Sequence, residues 1–178
     1  MTRCGTSCSP ENIILGAACI CIDGVDVGLT TGGVTVRYDR EFLDVEADQI
    51  NGIARKGVQL ERMFITTTLL EAALPQLQVA FGLPLANLTS ATTLCLGYNN
   101  SCYLAEHQVA IFGPGPSCGC RTFTFDRVVS ASTSIEYTMS RSQEVQVEVE
   151  FEVLKDCNST CFGIITDGCV FQDAQVCT

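Results

Sequence analysis

Alternation of apolar and polar residues predicts β-strands along most of this chain. The clearest case is residues 143–153, where apolar side chains occupy every second position and glutamate or glutamine fills the positions between them. Alternate side chains of a strand point to opposite faces, so this strand has one apolar and one acidic face. Similar patterns predict strands at residues 12–23, 34–46, 62–69, 91–97, 106–112, 121–131 and 162–165. Residues 134–154 as a whole read as one bent strand or two.

One stretch has the periodicity of a helix instead. Its apolar residues recur at three- and four-residue steps and share one helical face: Leu70, Leu74, Leu77 and Phe81. They predict a helix over about residues 72–81, and Gly82 followed by Pro84 marks its end. Pro75 would cost about 3 kcal/mol in a helix interior. We therefore expect a short helix with Pro75 in its first turn.

These patterns predict a mainly β chain with one helix near its middle. At 178 residues the chain is long enough for a hydrophobic core of its own. We divide it into an N-terminal arm at residues 1–11, a β domain at 12–156 and a cysteine-rich C-terminal arm at 157–178.

The charge of the chain limits the kinds of partner that it is expected to bind. Charged residues make up only 17% of the chain, and the net charge is −10. Specific nucleic-acid binding is not expected, because the ten lysines and arginines are scattered. The low charge suggests a surface that meets other subunits, although a compact β domain with a Ser/Thr/Asn surface would also explain it. We expect neither a membrane span nor a signal peptide, since residues 13–22 are apolar without a basic region before them.

The twelve cysteines are unusual for a domain of this length, which does not need covalent staples to fold. They are Cys4, Cys8, Cys19, Cys21, Cys95, Cys102, Cys118, Cys120, Cys157, Cys161, Cys169 and Cys177. Three interpretations are open: buried reduced thiols, zinc ligands or disulfides. The spacing of Cys4 with Cys8 and of Cys157 with Cys161 suits zinc, but only His107 could supplement those thiols.

The sequence offers little for catalysis. His107 is the only histidine, and Glu106 beside it points to the opposite face of a strand, so the two do not form a dyad. The segment 113–116 carries prolines where a phosphate-binding loop needs free N–H groups. We expect no enzymatic activity and no cofactor.

Several sequence segments, taken in their order along the chain, resemble those of a known protein family. They are Asp-Val-Glu-Ala-Asp-Gln at 44–49, Ile-Thr-Thr-Thr-Leu-Leu-Glu-Ala-Ala-Leu-Pro-Gln-Leu at 65–77, His-Gln-Val-Ala-Ile-Phe-Gly-Pro-Gly-Pro at 107–116, Arg-Thr-Phe-Thr-Phe-Asp-Arg at 121–127 and Val-Glu-Phe-Glu-Val-Leu-Lys-Asp at 149–156. This ordered set resembles the tail tube, or major tail, proteins of tailed bacteriophages. The resemblance covers about residues 12–167.

The resemblance implies a β-sandwich or barrel of two sheets with one flanking helix. It implies a virion structural protein, assembled in the bacterial host cytoplasm, whose hexameric rings stack into the tube through which DNA is ejected. The implied partners are further copies of the chain, the tape measure, baseplate and tail terminator proteins, and a sheath if the tail is contractile. DNA would pass through transiently, and no membrane is involved.

Two sets of residues become candidate sites. Residues 48–60 contain turn signals without strong periodicity, and the resemblance makes them a ring-stacking loop with the candidate contacts Asp48, Gln49, Asn51, Gly52, Arg55 and Lys56. An ordinary surface loop is the alternative. Glu148, Glu150 and Glu152 would form an acidic wall of the lumen that keeps DNA from adhering, or simply the solvent face of an antiparallel strand.

Disulfides, some of them between subunits, are the interpretation of the cysteines that we favour. Six cysteines lie in the predicted arms, and arms form ring contacts in this family. A virion leaves the reducing host, which permits oxidation. The cysteine content departs from the family, and the alternative class is a disulfide-rich secreted β-sandwich used for adhesion or binding.

Overall fold

A computed structural model describes residues 18–46, 52–70, 73–90, 92–97, 103–116, 119–137, 144–155 and 159–170. Within these ranges lie ten strands and one α-helix: β1 Cys19–Ile22, β2 Val25–Asp26, β3 Thr30–Glu46, β4 Ile53–Leu69, α1 Leu74–Ala80, β5 Leu88–Ser90, β6 Thr93–Leu94, β7 His107–Pro114, β8 Gly119–Ser130, β9 Val147–Val153 and β10 Ile164–Val170. The predicted mainly β fold with two sheets and one helix is confirmed.

Eight strands form one antiparallel sheet, and β5 and β6 form a second, two-stranded sheet. The main path runs β2-β1-β7-β8-β9-β4-β3. Strand β8 lies against β7 on one side. On its other side the first half of β8 pairs with β10 and its last residues pair with β9. The sheet therefore divides at β8, and β9, β4 and β3 continue along one of the two branches.

The apolar face of β9 forms the centre of the core. Val147, Val149, Phe151 and Val153 are all buried, while Glu148 between them is exposed. The buried side chains pack with apolar residues of β1, β4, β7, β8 and α1. Full burial of such a side chain contributes about 1.5–3 kcal/mol. The alternation predicted for this strand is confirmed.

Helix α1 begins two residues later than the predicted segment 72–81. Ala73 precedes it in an extended conformation, and Pro75 lies in its first turn. Proline is tolerated there because the first N–H groups of a helix have no partner within the helix. Leu77 and Ala80 are buried against the core, and the helix ends before Gly82. The expectation of a short helix with a delayed start is confirmed.

Several strand boundaries differ from the sequence prediction. Strand β3 begins at Thr30, before the predicted residue 34, because Gly32 and Gly33 form a bulge in its pairing with β4. The segment predicted at 91–97 contains only β6, paired with β5. Strand β9 starts at Val147 rather than 143, and residues 134–137 are not a strand. The predicted strand 12–23 is described only from residue 18, and of it Cys19–Ile22 is strand.

Part of the predicted C-terminal arm belongs to the sheet. Strand β10 begins two residues later than the predicted strand 162–165, continues beyond it, and pairs with β8 from Ile164 to Val170. The reason lies in β8, whose residues 119–124 are not paired with β9 and would otherwise leave backbone N–H and C=O groups without a strand partner on that edge. Residues 1–11, predicted as the N-terminal arm, lie outside the described residues.

Substitution of Gly82 by alanine will test how tightly α1 is joined to the sheet. Gly82 has a φ of 63°, and an added Cβ would lie 2.9 Å from the Cβ of Ser130. Gly24 has a φ of 76° with open space around it, which makes Gly24→Ala a matched control. Both variants should lose about 1–2 kcal/mol to left-handed backbone strain, and Gly82→Ala about 1–3 kcal/mol more from the steric clash. Urea denaturation measures the difference, and equal losses would contradict close packing at Gly82.

Candidate assembly surface

Strands β3 and β4 extend together beyond the rest of the sheet. Strand β9 pairs with β4 only from Met63 to Leu69. Over residues 38–46 and 53–62, called the ribbon here, the two strands pair only with each other in the described part of the chain. At about 3.4 Å per residue, nine residues of extended strand project about 30 Å.

The pairing register of the ribbon contains two irregularities. Glu41 lies opposite Leu60 while Phe42 lies opposite Val58, and Val45 lies opposite Arg55 while Glu46 lies opposite Ile53. In each case one residue of β4, Gln59 or Ala54, is left unpaired. Such bulges increase the twist of a strand pair and make its edges poor templates for uncontrolled pairing.

One face of the ribbon, the first face, is held together by its own aromatic side chains and charges. The guanidinium of Arg40 lies 5.1 Å from the ring of Tyr38 and 5.8 Å from that of Phe42, and the ammonium of Lys56 lies 5.3 Å from Phe42. Cation–π contacts of this kind contribute about 0.5–1 kcal/mol each at exposed sites. Together they link the two strands near the middle of the ribbon.

Hydrogen bonds and ion pairs strengthen the same face. The hydroxyl of Tyr38 donates to Glu61 on the opposite strand, and this hydrogen bond raises the pKa of Tyr38. The ammonium of Lys56 lies 3.3 Å from the carboxylate of Asp44. At the base of the ribbon the ring of Tyr38 meets the edge of Phe162 at 6.2 Å. The cations of this face thus already have partners within the chain.

The opposite face, called the second face, is open and combines exposed aliphatic side chains with charged ones, among them Asp39 and Glu41. It contains Leu43, Val45 and Leu60, which alternate with the residues of the first face along each strand. Leu43 and Val45 are 55% and 46% exposed. Arg55, directly opposite Val45, and Arg62 share this face, and neither forms an ion pair or hydrogen bond with the residues that the structure describes. Contiguous exposed apolar side chains of this kind mark a surface for a partner.

The prediction of a ring-stacking loop at residues 48–60 was wrong about its conformation. Residues 53–60 belong to β4, so that Arg55 and Lys56 are strand residues, and Gly52 lies immediately before the strand. Asp48, Gln49 and Asn51 lie outside the described residues. Periodicity did not reveal the strand, because neither face of the ribbon is buried and both therefore mix apolar and charged residues.

The three predicted lumen glutamates lie side by side on one face of the sheet. Glu148, Glu150 and Glu152 alternate along β9 and pair in register with Thr68, Thr66 and Phe64 of β4. None of the three glutamates forms an ion pair with a described residue. The face therefore carries uncompensated negative charge, but its position in an assembly remains a prediction.

The cysteines fall into distinct states. Cys21 and Cys120 are buried and disulfide-bonded. Cys19, Cys95 and Cys161 carry free thiols, and the last two are exposed. The remaining predicted cysteines lie outside the described side chains: Cys4, Cys8, Cys102, Cys118, Cys157, Cys169 and Cys177. Among the described residues no group of three or more His, Cys, Asp or Glu side chains is arranged to hold a metal ion.

His107 contacts Asp23, a pairing that the sequence pattern does not predict. The imidazole Nδ1 lies 2.7 Å from the Oδ2 of Asp23, and the Oδ1 of Asp23 accepts a hydrogen bond from the backbone N–H of Gln108. Glu106, the sequence neighbour of His107, instead pairs with Arg127. Sequence offers no signal for this contact, since the two residues are 84 positions apart. Strand β1 brings them together by pairing with β7.

Comparisons with known proteins do not identify the chain. No protein-family model matches the sequence, and no curated protein matches it. No helix in the described ranges is long and apolar enough to cross a membrane.

Strand β10 adds a second exposed apolar edge. Ile164 and Ile165 are 59% and 62% exposed, although they point to opposite faces of the strand. The guanidinium of Arg121 on β8 donates two hydrogen bonds, at 2.6 and 2.7 Å, to the carboxylate of Asp167. These hydrogen bonds hold the pKa of Asp167 below its usual range. The pair secures β10 against β8.

Stability of the β10–β8 pairing should depend on pH through Asp167. A carboxylate whose pKa is lowered in the folded state stabilises the fold above its unfolded pKa of about 4. That contribution is lost as the pH falls through the lowered folded value. Asp167→Asn should therefore reduce the free energy of unfolding at pH 7 and have little effect near pH 2. Denaturation of both proteins at the two pH values tests this, and a pH-independent difference would show that charge is not the cause.

Proposed function

We propose that this protein is the subunit of a bacteriophage tail tube, which self-assembles into stacked hexameric rings around a conduit for DNA. The single observation that carries the proposal is the ribbon. A structural protein that polymerises needs an element reaching beyond its own core, and the ribbon extends about 30 Å past the last residue of β4 that β9 covers.

The exposed apolar side chains of the ribbon favour contact with a partner. Two-stranded hairpins are marginally stable in water, and apolar side chains exposed on them favour aggregation. None of the described residues covers the second face, with Leu43, Val45 and Leu60. Another copy of the chain supplies this cover. Unreciprocated contacts between two different surfaces of identical subunits propagate into rings or filaments.

The acidic face suits the wall of a DNA conduit. DNA adheres where lysines and arginines neutralise phosphates, and it is repelled by uncompensated carboxylates. Glu148, Glu150 and Glu152 supply three such carboxylates beside threonine hydroxyls of β4. With a net charge of −10, the whole chain has the same sign as its proposed cargo.

The cysteines would reinforce the assembled tube. Cys95 and Cys161 are exposed free thiols, so they are accessible to thiols of a neighbouring subunit. Oxidation after release from a reducing cytoplasm would then convert contacts between subunits into covalent links.

A second candidate function is a disulfide-rich secreted module for binding or adhesion. The disulfide-bonded Cys21 and Cys120 are the observation in its favour, because structural disulfides are typical of secreted proteins. Size-exclusion chromatography with negative-stain microscopy of the purified chain separates the two functions. Rings or tubes support the first, and a monomer at every concentration and salt condition supports the second.

Removal of aliphatic side chains from the second face should abolish tubes. The double variant Leu43→Ser and Val45→Ser loses two side chains whose burial contributes about 1.5–3 kcal/mol each, so the concentration needed for assembly should rise at least about tenfold. Leu96→Ser, at a residue that is 69% exposed away from the ribbon, is the control. Circular dichroism should be unchanged in all variants, and normal tubes from the double variant would refute the role of this face.

Reversal of charge on the acidic face should make assembled tubes bind DNA. Tubes of the triple variant Glu148→Lys, Glu150→Lys and Glu152→Lys should retain DNA at low salt and release it as the salt concentration rises. The triple glutamine variant, which removes charge without adding cations, serves as the control and should bind much less. Equal DNA binding by wild-type and lysine tubes, measured by co-sedimentation, would place these residues away from the channel.

A further inference from the structure

A cavity of about 340 Å³ lies between the β1–β2 hairpin, helix α1 and the start of β7. Its walls are mostly aliphatic and include Ile22, Val25, Val27, Val79 and Leu88. The volume is within the range of sites that bind small molecules or single side chains. Val25 at this cavity is itself exposed, so an incoming group would meet an apolar edge first.

Two buried polar atoms among the residues lining this cavity have no hydrogen-bond partner in the described part of the chain. They are Nε2 of His107, whose side chain is only 7% exposed, and Oε1 of Gln76. Buried polar atoms are almost always paired, so two orphans beside one cavity mark a place where a ligand group or an ordered water would bind.

Both unpaired atoms are hydrogen-bond acceptors, so the group that binds them must be a hydrogen-bond donor. The Nδ1 of His107 faces the carboxylate of Asp23 at 2.7 Å and must carry a proton to donate to it. In the neutral imidazole Nε2 is then an acceptor. The amide nitrogen of Gln76 donates to the backbone oxygen of Asp26, which assigns the orphan atom as the carbonyl oxygen, also an acceptor.

Charge around the cavity favours a cation. Asp23 and Asp26 line it without a lysine or arginine partner among the described residues, whereas the carboxylate of Glu106 is paired with Arg127. An occupant with an aliphatic stem and a cationic head bearing only donors fits the apolar walls, the two acceptors and the carboxylates. Arginine and lysine side chains have this composition.

The ribbon offers one suitable arginine near its far end. Arg37 and Lys56 are paired with Asp39 and Asp44, and Arg40 lies over Tyr38 and Phe42. Arg55 remains without a partner in the described chain and lies on the second face opposite Val45. Arg62 shares that face but lies at the base of the ribbon.

We propose that Arg55 of one subunit inserts into this cavity of a neighbouring subunit, where its guanidinium donates to Nε2 of His107 and Oε1 of Gln76. The apolar residues around Arg55 then meet the exposed Val25. This inference rests on the proposed self-assembly and names the surface on which the ribbon docks. Five N–H donors in a planar fork allow one guanidinium to reach both acceptors and a carboxylate at the rim.

Paired substitutions test the insertion. Arg55→Ala should raise the concentration needed for assembly about tenfold or more, with thermal unfolding of the monomer unchanged. Arg62→Ala, the other unpaired arginine of the same face, should assemble much as wild type does. If Arg55→Ala forms tubes as readily as Arg62→Ala, the inference is wrong while the proposed function stands. If the wild-type chain forms no rings or tubes, the proposed function itself fails.

A mixing experiment guards against loss of folding in a single variant. Val25→Trp should block the cavity while leaving Arg55 intact, and it should not assemble alone. A mixture of Val25→Trp with Arg55→Ala contains one intact ribbon and one open cavity, and should form a complex that does not extend further, detectable by analytical ultracentrifugation. Absence of this complex, with both variants folded by circular dichroism, would overturn the proposal.

Photo-crosslinking identifies the contact directly. A benzoylphenylalanine at position 55, introduced into a minority of otherwise wild-type subunits, should crosslink to peptides containing residues 22–27 or 105–107 of a neighbour. Crosslinks confined to other segments would contradict the assignment. So would a copurified small molecule that native mass spectrometry still finds bound in intact wild-type tubes, since the cavity would then be occupied already.

Discussion

The rest of the structure depends on how β4 is paired. Only part of this strand has a neighbouring strand on both of its edges. From Met63 to Leu69 the strand lies between β9 and β3, and alternate side chains such as Ile65 are buried in the core. Before Met63 it has β3 alone. The doubly paired part anchors the strand, and the singly paired part becomes the ribbon. Because β9 ends at Val153, the length of β9 determines how much of β4 projects.

The buried part of the fold was accessible from sequence because burial imposes periodicity. The alternation along β9 and the three- and four-residue spacing around Leu77 each arise from one face meeting the core, and both predictions were confirmed. The delayed start of α1 followed from the cost of Pro75 in a helix interior. Elements that face solvent on both sides lack this periodicity, which is why the sequence predicts a loop at residues 53–60 where the structure has a strand.

Contacts between distant segments were inaccessible for a different reason. The pairing of Asp23 with His107 depends on β1 lying against β7, and that neighbour relation is a property of the sheet order rather than of either segment. The same holds for β10, whose place in the sheet depends on how far β9 covers β8. The local sequence pattern predicts where strands lie. The order of the strands in the sheet depends instead on the combined energies of all possible strand pairings.

The two faces of the ribbon differ in a way that favours directional assembly. On the first face Lys56 contacts the ring of Phe42 and Tyr38 donates to Glu61, while Phe42 remains 49% exposed. The second face presents aliphatic side chains and an unpaired Arg55, and nothing like it recurs at the cavity beside His107, which is concave, apolar and acidic. In the proposed contact two unlike surfaces meet, and unless it is exchanged reciprocally between two copies, such a contact repeats from one copy to the next, as a tube requires.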